Sequence, residues 1–227
     1  MRALTFNVYN PKNEMLYHLA SFIRSVKPDV IGLQEITKGS LTTLSRLLNM
    51  KCAWKGSEYL GNGLLSRGDI HNVRSLEMRT KAPHEMRSAL YAETRDMKVV
   101  ITHLDHVDED IRLAQWGKLM EWAPRDTDIV MGDLNTLRLN DYTEEAMEKV
   151  TRDRLRTNWE PPRGELIRLI ETQWAVSPFQ KGTSRFDTRV DYILHNPAQL
   201  TLVREDVLDT RHLSDHMAVC AELRRLL

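Results

Sequence analysis

Cysteine is scarce in this chain. Cys52 and Cys220 are the only two among 227 residues, so no disulfide framework of the small secreted kind is available. No apolar run approaches the roughly 20 residues that span a bilayer. The first residues, Met1-Arg2-Ala3-Leu4-Thr5-Phe6, enter a strand pattern at once and lack the charged and apolar regions of a secretory signal. Net charge is absent as well: 32 basic and 32 acidic side chains cancel, so no global positive field marks a non-specific nucleic-acid binder, although a local basic patch stays open. Repeats, low-complexity tracts and flexible linkers are missing too. These absences read as a soluble, reduced, cytoplasmic protein. The length suits one domain over residues 1–227, and a 41% hydrophobic content supplies a substantial core.

What is there is organised around Asp128-Ile129-Val130-Met131-Gly132-Asp133-Leu134-Asn135-Thr136. Three consecutive apolar residues read as a buried strand, which runs into a glycine, a carboxylate and a carboxamide. Asp133 and Asn135, two apart, face the same side of an extended chain. Groups of this kind are costly to bury without a partner, and a metal or a phosphate is the usual one. Taken alone, the stretch reads equally as a turn in which Gly, Asp and Asn only shape the backbone.

Other segments have the same form. Ala3 to Val8 alternates as a strand and ends at Asn7. Leu16, Leu19, Ala20 and Ile23 recur at helical spacing until Pro28. Asp29 to Glu35 is a second buried strand ending in Gln34-Glu35. Ser40 is the expected N-cap of a helix whose apolar face is Leu41, Leu44, Leu47 and Leu48. Short strands follow at Ala53-Trp54, Gly61 to Arg67, Val73 to Met78, Ala89 to Thr94 and Val99 to Thr102, with a hairpin around Arg95-Asp96. Ile111 to Trp122 is helical, with Ile111, Ala114, Gln115, Leu119 and Trp122 spread along it. Leu139 to Glu171 is charged, helix-prone and broken at Pro161-Pro162, the composition of a solvated face. Val190 to Leu194, Leu200 to Val203 and Met217 to Leu223 are the closing strands. Strand–helix alternation at both ends with hairpins between favours an α+β fold, two mixed sheets packed face to face with helices outside.

Six polar clusters therefore sit at strand ends, and convergence of those ends would make one cleft. The segments Thr5-Phe6-Asn7, Leu33-Gln34-Glu35, Thr102-His103-Leu104, Gly132-Asp133-Leu134-Asn135, Arg189-Val190-Asp191-Tyr192 and Ser214-Asp215-His216 resemble the endonuclease/exonuclease/phosphatase superfamily, which includes deoxyribonuclease I, sphingomyelinases, deadenylases and inositol-polyphosphate phosphatases. All stand in that family's order and span residues 5–216. The resemblance implies a four-layer αββα sandwich and metal-dependent hydrolysis of a phosphate ester. The Thr-His-Leu segment aligns the chain with the histidine-containing branches rather than with exonuclease III.

The resemblance also implies roles. Glu35 is the principal metal ligand, with Asn7 beside it and Asp215 as a further ligand. Hard oxygen donors of this kind suit Mg²⁺ or Mn²⁺. His216 is the general base or the electrostatic partner of the phosphoryl group, and Asp191 fixes its tautomer. Asp133 orients or deprotonates the attacking water, Asn135 contacts the phosphate, and His103 donates to a phosphate oxygen or protonates the leaving group. Arg87 sits where some relatives place a phosphate-contacting arginine; a surface salt bridge is the competing reading.

Asn62 and Arg67 are expected to be structural, and Arg112 with Gln115 to brace a layer. Asp105, Asp108, Glu109 and Asp110 read as an acidic helix start. His18, His71, His84, His106, His195 and His212 receive no role. Of the tryptophans, Trp159 and Trp174 are the better candidates for stacking on bases. The expected partner is a phosphate-ester substrate, DNA or RNA, acted on by a monomer. A small or lipid-derived phosphate is the alternative substrate. An inactive binding module would have lost some of these site residues, and none is lost.

Overall fold

The computed structural model describes residues 1–56, 59–81, 86–95, 97–178 and 181–226. Among these, one sheet is built from β1 (Arg2–Asn7), β2 (Val30–Ile36), β3 (Lys51–Gly56), β4 (Gly61–Ser66), β10 (Leu200–Leu208) and β11 (Ala218–Arg225), in the order β10-β11-β1-β2-β4-β3. The second holds β5 (Ile70–Arg79), β6 (Met86–Thr94), β7 (Met97–His103), β8 (Ile129–Asp133) and β9 (Asp191–His195), in sequence order. Each sheet mixes one parallel pair, β1 with β2 and β7 with β8, among antiparallel ones.

Alternation within the strands sends side chains to two different cores. Ala3, Val30, Leu64, Ile101, Met131 and Val219 meet between the sheets. Leu4, Phe6, Ile31, Leu33 and Leu65 face α1 (Asn13–Val26) and α2 (Lys38–Leu48) on one outer side. Val100, Val130 and Leu194 face α3 (Glu109–Trp122) and α5 (Glu165–Glu171) on the other. The expected αββα sandwich is therefore the observed one, because strands buried on both faces need a helix layer outside and a sheet inside.

Several local expectations are met and several are corrected. Helix α1 buries Leu16, Leu19, Ala20 and Ile23, the face read from their spacing. It closes at Lys27, which is in the left-handed conformation just before Pro28. The N-cap of α2 is Thr37, not Ser40: the Thr37 hydroxyl accepts the Ser40 N–H at 3.0 Å, and Ser40 is already helical. Helix α3 turns Arg112, Gln115, Trp116 and Leu119 inward and leaves Ala114 exposed. The apolar pattern included Gln115 and Leu119 correctly but overlooked Glu109 and Arg112, two further buried polar residues of that face. Asp108 caps α3 by accepting the Ile111 N–H, so the acidic run is a helix start as expected.

The charged segment supplies α4 (Glu144–Arg156) and α5, with the break at Pro161-Pro162 between them. It is not only a solvated face: Arg154 is 4% exposed, and Glu160 reaches the buried Arg112 guanidinium at 2.8 Å. Strands β6 and β7 do form a hairpin, with Arg95 in the left-handed region; Asp96 and His84 lie outside the described residues. No helix among the described residues is long and apolar enough to cross a membrane.

Strand β8 passes close against β7 at Gly132. A Cβ built there would lie 1.8 Å from the Thr102 carbonyl oxygen, and its φ of 149° is one that side chains rarely adopt. Gly132→Ala is expected to cost about 2–4 kcal/mol through clash and strain together. Urea denaturation checks this; a midpoint equal to that of the parent would refute it.

Candidate active site

Strand register assembles the polar ends. In the second sheet His103 pairs with Asp133, and Asp133 with Asp191, so three side chains form a row across the ends of β7, β8 and β9. In the first sheet Asn7 pairs with Gln34. The register of β2 against β4 slips between Leu33 and Ile36, where Glu35 takes a φ of 53°. That bulge turns Glu35 out of the strand and into a cleft between the sheet ends. Gln34 stays behind, accepting from the Thr5 hydroxyl at 3.3 Å.

The two rows meet at Asp133. Its Oδ2 accepts from Asn7 Nδ2 at 3.1 Å and lies 3.4 Å from His103 Nε2 and 3.8 Å from His216 Nε2. Its Oδ1 accepts the Asn135 N–H at 3.1 Å. Asn7 also donates to Glu35 at 3.1 Å and turns its own oxygen to the Tyr9 N–H at 3.2 Å. His216 Nδ1 stands 2.9 Å from Asp191 Oδ2, the expected imidazole–carboxylate pair. Ser214 hydroxyl donates to the Asn7 carbonyl at 2.8 Å and accepts the His216 N–H at 3.2 Å, which clamps the loop that carries Asp215 and His216. The Asn135 carboxamide donates to the Leu104 carbonyl at 3.1 Å from a left-handed backbone, φ 50°.

Arg87 turns towards two imidazoles. Its guanidinium lies 3.4 Å from His103 Nδ1 and 3.0 Å from His106 Nδ1. A guanidinium can only donate, so each Nδ1 accepts. The His103 proton is thereby placed on Nε2, facing Asp133.

Burial and neighbouring charge set the protonation. Burial, then the Arg87, His216 and His106 charges, hold His103 well below the usual imidazole range, so it is neutral. Burial opposes charge on His216, yet Asp191, Asp133 and Asp215 together override it and lift the imidazole to about 10. Burial and then the facing Asp191 carboxylate raise Asp133 to about 7, against the pull of His216 and Asn7.

All nine residues singled out in the sequence thus come together. Glu35, Arg87, His103, Asp133, Asn135, Asp215 and His216 line one cavity of about 480 Å³, with Asn7 and Asp191 directly behind. Sequence reasoning missed His106, Arg154, Arg185 and Phe186, which line the same cavity. His106 stands three residues after His103 in the same strand-end loop, a usable signal; Arg154 sits among many charges and offered none. Trp159 lines the cavity, whereas Trp174 packs against the outer helical core. Asn62 donates to the Ser88 carbonyl at 2.6 Å, and Gln115 to that of Arg79 at 2.7 Å, both bracing contacts.

The endonuclease/exonuclease/phosphatase family model matches residues 4–216. The chain belongs to that family. Its solved relatives include an endonuclease/exonuclease/phosphatase from Beutenbergia cavernae, 19% identical with a TM-score of 0.75 over 99% of this chain and 71% of that one. A mannosyl-6-phosphatase from Bacteroides thetaiotaomicron is 14% identical, TM-score 0.70, over 99% of both chains. A 3′ phosphatase from Neisseria, bound to a product DNA hairpin, is 19% identical, TM-score 0.70, over 99% of both. At these identities the structures speak for the fold. No curated protein matches. Endonuclease/exonuclease/phosphatase proteins are phosphoric ester hydrolases, and this chain is one.

Members of the family generally use divalent metal ions. The donor set here fits one: Glu35, Asp133 and Asp215 present hard oxygens to the cavity, and a further carboxylate oxygen, Asp191 Oδ1, is buried without a partner. Asp133, Asp191 and His216 also place one ligand atom each within 4.8 Å of the others. Within that trio His216 is hydrogen-bonded to Asp191 at 2.9 Å and faces Asp133 at 3.8 Å.

The raised groups have a consequence for the metal-free protein. Asp133 keeps its proton to about pH 7 when folded but only to about pH 4 when unfolded, so stability falls as pH climbs through that window. The contribution of His216 is complete below about pH 6.5 and fades as pH rises towards about 10. Both act in one direction. In chelator, the urea midpoint is expected to fall between about pH 5 and about pH 8, and Asp133→Asn should flatten the lower part of that slope. A midpoint that rises over this range contradicts the assignment.

Proposed function

We propose that the chain is a Mg²⁺- or Mn²⁺-dependent phosphodiesterase that hydrolyses ester bonds at or near an end of DNA or another nucleic acid by direct water attack. The observation that carries this reading is the meeting at Asp133 of donors from both sheets, in a cavity lined by carboxylates and by Arg87. Glu35 and Asp215, with Asn7 behind, would hold the metal beside Asp133. A bound divalent ion supplies Lewis acidity and neutralises phosphoryl charge.

The remaining roles follow from protonation. Asp133, raised towards neutrality, is suited to take the proton of the attacking water. His216, held protonated by Asp191, serves as the cationic partner of a phosphoryl oxygen; of its two anticipated roles, this one agrees with its charge. Neutral His103, its Nε2–H set by Arg87, donates a hydrogen bond to the same group. Asn135 braces the loop beside Asp133 and leaves its second amide proton for the phosphate.

A second reading, a phosphatase of a small phosphorylated compound, is favoured by cavity size. About 480 Å³ takes one nucleotide-sized group rather than a long duplex track, and the chain carries no net charge. End-labelled single strands, supercoiled plasmid and small sugar or inositol phosphates in one assay separate the two.

Chelator is expected to abolish hydrolysis of bis-p-nitrophenyl phosphate, and Mg²⁺ or Mn²⁺ to restore it. Full activity in chelator would remove the metal from the reaction. His216→Ala should keep the parent's circular-dichroism spectrum with a lowered melt, since a buried cation is lost between two carboxylates, while kcat falls about 10²-fold or more, the scale of a lost transition-state charge partner. Unchanged kcat would take His216 out of the mechanism.

A further inference from the structure

Away from the carboxylates, the cavity is closed by a wall of aromatic rings and arginines with no duty in any of the three hydrophobic cores. Trp159 stands edge-on to His106, centroids 4.9 Å apart, and to Phe186, 5.8 Å apart. The Arg185 guanidinium lies 4.9 Å from the Phe186 centroid and 5.9 Å from that of Trp159.

The wall is built rigidly. The Glu160 N–H, next to Trp159, bonds the Val107 carbonyl at 3.1 Å, and Arg154 donates to the carbonyls of Glu160 and His106 at 2.8 and 3.1 Å. These contacts fasten the end of α4 to the loop after His103. Phe186 rides a tight loop in which Thr183 and Ser184 N–H groups share the Thr188 carbonyl at 2.9 and 3.0 Å. The Thr183 hydroxyl accepts from the N–H groups of Val190 and Asp191 at 3.0 and 3.2 Å, so this loop is continuous with the strand behind His216. Trp159 and Phe186 remain half-buried on the cavity side.

Half-buried rings held edge-on to one another, flanked by cations and facing a phosphate-sized mouth, suit a planar π-rich group. We propose that the Trp159–Phe186 wall stacks on the nucleobase of the nucleotide whose phosphate is attacked, which makes these residues determinants of substrate choice. The proposal rests on the nucleic-acid reading above. A sugar is the other group that aromatic rings accept. Sugar hydroxyls are held most strongly by carboxylate acceptors beside the ring. The lining carboxylates among the described residues, Glu35, Asp133 and Asp215, belong to the polar cluster around Asp133, whereas beside Phe186 the described lining side chains offer only the hydroxyls of Ser184 and Thr188. The Arg154 and Arg185 guanidinium groups lie 5.4 and 5.9 Å from the Trp159 centroid.

Equilibrium binding tests this apart from turnover. In the His216→Ala background with Mg²⁺, AMP is expected to bind about tenfold or more tightly than ribose 5-phosphate, the scale of one stacked base. Adding Trp159→Ala or Phe186→Ala should shrink that preference, and Trp159→Phe should keep most of it, with thermal melts unchanged because neither ring serves a core. Equal binding of AMP and ribose 5-phosphate within twofold would overturn the proposal. So would a preference that survives both alanine variants, or tighter binding of mannose 6-phosphate than of AMP. A wild-type protein that cleaves no nucleic acid yet shows the Trp159-dependent preference would instead defeat the proposed function and leave the wall standing.

Discussion

A carboxylate sunk at the end of β8, with another carboxylate facing it across β9, is a destabilising arrangement that the rest of this molecule exists to hold. Like charges directly opposite on adjacent strands repel, and burial strengthens the repulsion. Asp133 tolerates Asp191 because His216 stands between them as a cation and because Asn7 reaches over from the other sheet. Each of these contacts comes from a different strand or strand-end loop. The packing of one sheet on the other is therefore the condition for the site, since Asn7 and His216 belong to the first sheet's edge of the cleft and Asp133 and Asp191 to the second's.

Two buried ion pairs keep the loops around this centre in place. Arg189, two residues before Asp191, meets Glu205 of β10 at 2.6 Å with both side chains almost wholly enclosed. It also donates to the Ser177 and Pro178 carbonyls at 3.1 and 2.9 Å and lies over the Tyr192 ring. That one guanidinium ties the entry to β9, the segment before it and the opposite sheet together. On the outer side Arg112 holds Glu109 and Glu160, while Glu109 accepts the Leu166 N–H at the start of α5. Buried pairs of this kind add little net stability over an apolar filling, but removing one partner costs about 3–5 kcal/mol. Their contribution here is to position, because the same residues anchor the backbone on which Asp191 and Trp159 stand.

The carboxylate and imidazole cluster of the cleft was legible in the sequence because strand chemistry is local. A buried run that ends in Asn7, Glu35, His103, Asp133 or Asp191 announces itself within a few residues, and the order of such runs carries the family resemblance. Helix α3 was harder to read: Arg112 and Gln115 face inward to satisfy backbone carbonyls, so the inward face is not the apolar one. The wall of the cleft was least legible. Arg154 is buried through contacts with the carbonyls of His106 and Glu160, one of them 48 residues away in sequence. In a charged helix such a residue is indistinguishable from its solvated neighbours until the helix has docked. Ser40 in place of Thr37 as the cap of α2 is a smaller miss of a different kind, since both residue types cap well and only backbone geometry separates them.

The neutrality of the whole chain acquires a meaning once charge is seen in place. Both signs of charge line the cleft: Glu35, Asp133 and Asp215, and Arg87, Arg154 and Arg185, with the His103 ring reaching Glu35 at 3.8 Å and Arg87 at 3.4 Å. An anionic ester entering there meets attraction from the arginines and, until a divalent ion is bound, repulsion from the carboxylates. Screening at physiological ionic strength confines such effects to roughly 8 Å. A chain without net charge therefore draws its substrate through the arrangement of a few side chains at the mouth, not through a long-range field. Under the reading proposed above, such a cavity would grip the phosphate and the group next to it and have little hold on the remainder of a polymer. End-directed action on nucleic acid and action on small phosphate esters would then be neighbouring uses of one cavity, and the Trp159–Phe186 wall is where they would part.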